Sequence, residues 1–84
     1  AKLVGAKLSN ANLSQANLEK ADLQLADLSQ ANLKQANLEE AKLDRANLNA
    51  ANLTAANLNY AYMPCAQLSK ANLQEAELKR TELT

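Results

Sequence analysis

The sequence predicts an all-β fold, a solenoid of about four coils with an apolar interior. Three observations carry this reading. Alanine stands at every fifth position from Ala1 to Ala76, and Thr81 closes the series. Leucine stands two places after each of them, from Leu3 to Leu83, with Met63 the one exception. No insertion or deletion disturbs the frame anywhere in the 84 residues, so the whole chain, 1–84, reads as a single repeat domain.

A period of five suits neither common element. On a helix at about 100° per residue, five residues advance about 140°, and the leucines would scatter around the axis. On a flat strand five is odd, so successive leucines would point to opposite faces. Within one unit, however, alanine and leucine are two apart, which is strand spacing. A short extended piece followed by a two-residue corner reconciles the two. The corner must turn the chain until the next alanine and leucine point inward again.

The residue before each leucine indicates how many sides a coil has. Folded by four, one column becomes Asn12, Asn32, Asn52, Asn72 and the next becomes Asn17, Asn37, Asn57, Glu77. Another becomes Lys2, Asp22, Lys42, Tyr62, Glu82, with no asparagine at all. Folding by three mixes asparagine into every column. Four units, or twenty residues, therefore make one coil. At roughly 4.8 Å per layer, the rod should stand roughly 20 Å tall. Leu23, Leu28, Leu33, Leu38, Leu43, Leu48, Leu53, Leu58 and Met63 are its expected interior.

An unbroken tandem of A-[DN]-L-x-x resembles the pentapeptide repeat family, and the likeness runs through the whole chain. The resemblance implies a right-handed quadrilateral parallel β-helix, with the central leucine and the alanine two before it facing inward. It also implies that the residue between them faces outward and that the last two residues make the corner. The family is abundant in cyanobacteria. Lys2, Lys7, Lys42, Tyr62, Gln67, Glu77 and Glu82 depart from the usual Asn or Asp, all at outward positions.

Composition excludes several classes of function. Lys plus Arg equals nine and Asp plus Glu equals nine, so the formal charge is zero. Direct nucleic-acid binding wants a positive excess and is not expected. There is no histidine, which removes the commonest general base and metal ligand. Cys65 is the only cysteine and Gly5 the only glycine, so no disulfide, thiolate pair or phosphate loop can be assembled. The carboxylate pairs Glu39/Glu40 and Glu75/Glu77 would sit on a convex rod, without the pocket that raises a carboxyl pKa. No catalytic, cofactor-binding or metal-binding residues are expected, and no cofactor. No apolar run approaches the roughly 18 residues of a membrane span, so no membrane insertion is expected. The single cysteine fits a reducing compartment such as the cytoplasm. The chain lacks an initiator Met and is expected to be a processed, trimmed or excerpted piece of a longer repeat domain or protein.

The irregular residues gather in the first column. It stacks Ala1–Gly5, Leu25, Arg45, and the unit Tyr62-Met63-Pro64-Cys65, with Tyr60 at the corner leading in. Val4, Leu25, Arg45, Tyr60 and Tyr62 are the candidate protein-binding face, since exposed tyrosines serve as contact anchors. Pro64 at the first corner residue suits position i+1 of a turn, and Gly5 at the second suits a positive φ. Most second-corner residues are not glycine, so type II turns are expected to be a minority or strained. The asparagines are expected to bond nearby turn backbone and one another between layers. Open coils at both ends invite end-to-end self-association. The function expected is a non-enzymatic scaffold presenting a rigid flat face to an unknown protein partner. The alternative that the resemblance implies is a mimic of duplex DNA that binds type II topoisomerase and protects it from quinolones. Zero net charge opposes that alternative.

Overall fold

The structure, a computed structural model, describes residues 2–83; Ala1 and Thr84, the two ends of the first column, lie outside the described residues. Every outward residue from Lys2 to Tyr62 pairs in parallel with the residue twenty further on. Four columns result. Side one carries Lys2, Asp22, Lys42, Tyr62 and Glu82 outward; side two carries Lys7, Asp27, Asn47 and Gln67. Side three carries Asn12, Asn32, Asn52 and Asn72; side four carries Asn17, Asn37, Asn57 and Glu77. Twenty residues and four turns therefore close each coil.

One unit shows how the backbone groups are satisfied. The Leu23 N–H donates to the Lys42 carbonyl in the next coil at 2.7 Å, and the Leu25 N–H donates to the Asp44 carbonyl at 3.1 Å. The Lys42 N–H donates back to the Ala21 carbonyl at 2.9 Å. The Ala26 N–H closes the corner on the Leu23 carbonyl at 3.1 Å. Each straight piece is too short to make a multi-residue strand, because a corner intervenes after three residues. The sheets expected from sequence are therefore rows of single bridges among the described residues.

The corners correct one expectation. The second corner residue has positive φ in all sixteen units from Gly5 to Arg80, with values between 54° and 68°. Fifteen of these residues are not glycine. Together with the closing hydrogen bond from the alanine to the leucine three before it, this is the sign pattern of a type II turn. Such turns are the rule here rather than a minority. A non-glycine residue in this region costs about 1–2 kcal/mol, and each unit accepts that cost in the turn that brings the next alanine and leucine inward. None of the chain's few β-branched residues, Val4, Thr54, Thr81 and Thr84, occupies a second corner. Those β-branched side chains fit the left-handed region worst.

Inside, Leu23, Leu28, Leu33, Leu38, Leu43, Leu48, Leu53, Leu58 and Met63 are fully buried, together with the alanines from Ala21 to Ala61. Alanine fits where the chain leaves a corner, because close-packed coils leave no room there for a larger group. Thr81 takes an alanine position and donates its hydroxyl to the Leu58 carbonyl at 2.7 Å, which satisfies it. Burial fades toward the ends: Leu3, Leu8 and Leu13 are half-buried, and Leu78 and Leu83 are exposed.

The corner geometry makes a test. Gln30 is exposed and sits at φ 60°. Gln30→Val should lower stability by about 1–2 kcal/mol in chemical denaturation. Gln30→Gly should change it by less than about 1 kcal/mol, because relief of strain offsets the entropy of glycine.

Candidate protein-contact face

Except at Pro64, the first corner residue of each unit has an N–H that no backbone carbonyl of a neighbouring coil accepts among the described residues. On sides two, three and four, every outward asparagine or aspartate turns its Oδ1 onto that N–H two residues on. Thus the Ser14 N–H donates to Asn12 Oδ1 at 3.2 Å, and the Asn59 N–H donates to Asn57 Oδ1 at 3.0 Å. This is the Asx turn, and it explains why the outward position favours Asn and Asp. The asparagines expected to bond one another between layers do not do so among the described residues. Each one caps its own corner.

Where Asn or Asp is missing, two coils show a substitute. Gln67 and Glu77 are too long to cap Ser69 and Lys79. Asn49 and Asn59, one coil below, do it instead: the Ser69 N–H donates to Asn49 Oδ1 at 2.9 Å and the Lys79 N–H to Asn59 Oδ1 at 2.8 Å. The Asn49 and Asn59 amide groups then donate to Gln67 Oε1 and Glu77 Oε1. The sequence carries a signal for this that the repeat analysis passed over. Asn49 and Asn59 are the only asparagines at first-corner positions, and each lies one coil below a departure.

Side one is different. None of its outward residues caps a corner among the described residues. Among the described residues the N–H groups of Val4, Gln24 and Asp44 have no partner, and Gln24 Oε1 is enclosed without a donor. Asp22 turns to Lys42 instead, with Oδ1 4.0 Å from Nζ; exposed as it is, that pair adds little stability. In the fourth coil Tyr62 offers no cap, and Pro64 has no N–H to need one. Elsewhere only Ser9, after Lys7, keeps an open corner N–H among the described residues.

The candidate residues cluster accordingly. Val4 and Leu25 are each 59% exposed, Tyr62 is 47% and Tyr60 is 43%. Val4, Leu25, Arg45 and Tyr62 lie on side one or its corners, and Tyr60 stands on the corner by which side four leads into it. Gln24 and Asp44 belong with them, although composition alone did not single them out. Cys65 is exposed and unpaired. Among the described residues no three His, Cys, Asp or Glu side chains gather as a metal site, and no cavity opens on the rod. No helix among them is long and apolar enough to cross a membrane.

A family model for pentapeptide repeats, in eight copies, matches residues 1–39, 31–64 and 51–84. Among solved structures, a pentapeptide repeat protein from Nostoc Pcc 7120 is 43% identical with a TM-score of 0.91, over 92% of this chain and 64% of that one. A pentapeptide repeat protein from the cyanobacterium Cyanothece 51142 is 37% identical with a TM-score of 0.58, over 99% of this chain and 64% of that one. A pentapeptide repeat protein from the Arabidopsis thaliana thylakoid lumen is 27% identical with a TM-score of 0.56, over 89% of this chain and 59% of that one. The chain thus spans less than two thirds of the length of these structures. No curated protein matches it.

Two measurements test the caps. Asn49→Ala should cost about 1 kcal/mol in denaturant melts, by stripping Ser69 of its acceptor. Gln67→Asn should restore most of that loss in the Asn49→Ala background, because a local cap becomes available, and should do little alone. Asp27 provides the second. The Ser29 hydroxyl and then the Ser29 N–H donate to its carboxylate and hold its pKa below the ordinary 3.8. Stability from a lowered carboxyl pKa is present above the ordinary value and is lost as pH falls through the lowered one. Asp27→Asn keeps the Oδ1 acceptor, so it should reduce the loss of melting temperature between neutral and strongly acidic pH.

Proposed function

The chain belongs to the pentapeptide repeat family, whose model matches it from end to end, and from that premise we propose that it is a non-enzymatic interaction module. It offers a partner protein one flat side of a rigid rod. We take the coil to be the right-handed quadrilateral β-helix of that family. One observation carries the reading: on three sides the outward asparagines and aspartates are folded back to satisfy their own corners, and on side one nothing is. There the open N–H groups of Val4, Gln24 and Asp44 coincide with the exposed side chains of Val4, Leu25 and Tyr62, with Tyr60 at the margin.

A rigid scaffold binds with little loss of conformational freedom, and tyrosine anchors contribute area at low entropic cost. The side also mixes signs, with Lys2, Asp22, Lys42, Asp44 and Arg45. Such a pattern suits a specific protein surface better than a uniform polyanion or polycation. Duplex mimicry would need a continuous negative face, and here lysines stand at the outward positions of two side-one coils. At the last coil the exposed Leu78 and Leu83 would be buried by a further coil stacked upon it.

The test is capture from a native extract with the immobilised chain. The wild type should retain a partner that Tyr60→Ala/Tyr62→Ala loses by at least about tenfold, in keeping with the loss of two anchor residues. Equal recovery by both proteins would remove side one from the contact.

A further inference from the structure

We propose that the partner of side one is a second copy of the same chain, seated face to face and running antiparallel about a two-fold axis. This rests on the reading of side one as a contact face and adds the identity of the occupant. A two-fold contact sets residue i against j and j against i. With the axis midway between the second and third coils, the first coil meets the fourth and the second meets the third. The outward residues then meet as Asp22 with Lys42 and Lys2 with Tyr62, each pair occurring twice. The first pair joins opposite charges. The second places an ammonium beside an exposed aromatic ring, a favourable cation–π arrangement.

The first-corner residues fall into the same register. Val4 meets Pro64, both apolar. Gln24 meets Asp44, and there the open Gln24 N–H finds a carboxylate acceptor. No like-charged pair is made at any of these positions. The other sides lack this self-complementarity. On side three the same operation sets asparagine against asparagine, and those amides already cap their own corners. On side four Asn37 meets Asn57, both likewise engaged. On side two Asp27 meets Asn47, also both engaged. Side one alone has opposite charges in its second and third coils, Val4 and Pro64 at the first corners of the coils on either side, and open N–H groups between them.

The face sets the strength. The rod measures 26 × 23 × 19 Å, so one side offers roughly 400 Å² per copy, below the roughly 800 Å² per partner of a standard stable interface. The dimer is accordingly weak and in exchange, and concentration governs it.

Sedimentation at low salt, from about ten micromolar to about one millimolar, a range set by the weak class of interface, should show the wild type passing from monomer to dimer. Asp22→Lys sets Lys against Lys42, and Lys42→Asp sets Asp against Asp22; each alone should weaken self-association at least about tenfold. Mixed one to one, the two variants should associate with each other, since both inter-copy pairs are then opposite in sign. Asp22→Lys/Lys42→Asp should self-associate as the wild type does. The wild-type chain gives a reading free of folding effects. A carbodiimide, which joins lysine to carboxylate, should yield a covalent dimer whose cross-linked peptides, from a mixture of light and heavy isotope-labelled chains, join Asp22 of one copy to Lys42 of the other. A monomer at every concentration overturns the proposal. So does a dimer indifferent to the charge reversals, which would place association at the coil ends. If the chain stays monomeric while Tyr60→Ala/Tyr62→Ala still loses an extract partner, the second copy falls and the contact face stands.

Discussion

The corner is the constraint from which the rest of this molecule follows. To bring an alanine and a leucine inward on every side, the chain must turn a corner every five residues, and a left-handed residue makes that turn in all sixteen units from Gly5 to Arg80. Every consequence runs from there. The strain recurs fifteen times, so the coils must bury enough leucine to outweigh it. The corner leaves one N–H that no backbone carbonyl of another coil accepts, so the outward position acquires a residue able to accept from it. The familiar Ala-Asn-Leu sequence is thus one solution to three linked demands: space beside the corner, an acceptor for the corner, and apolar volume in the interior.

Much of this was legible in the sequence. A frame without insertions made the inner leucines and the twenty-residue coil readable by counting, and the irregular side emerged from the same count. The corner conformation was not legible. Glycine is the usual marker of positive φ, and only Gly5 provided it, whereas glutamine, lysine, arginine and tyrosine fill the same role elsewhere. These residues are tolerated because cooperative coils impose a conformation that no local preference favours. The caps were half legible. Asn followed by a corner suggests an Asx turn, but the borrowed caps from Asn49 and Asn59 become visible only when coils are laid one above another.

The contrast among the four sides gives the candidate face its meaning. On most of the rod an outward side chain is occupied in holding its own backbone. Its loss would be felt as stability before any partner noticed. On side one Tyr62 and Pro64 change together, one removing the acceptor and the other the donor, so the backbone asks nothing of the side chain above it. Lys42 and Asp22 are similarly unneeded by the corners. Side chains released from structural duty are free to be selected for contact.

The uninterrupted frame has an implication for how such a surface can change. Because a coil is twenty residues and a side is five, a gain or loss of five residues does not damage the fold; it advances everything beyond it by a quarter turn. A pentapeptide inserted before Ala61 would leave every leucine inside yet carry the tyrosine unit around the rod, out of line with Lys2, Asp22 and Lys42. Length in this molecule is therefore also phase. A face composed from several coils persists only while the number of units between its members remains a multiple of four, a condition that the inward leucines do not enforce.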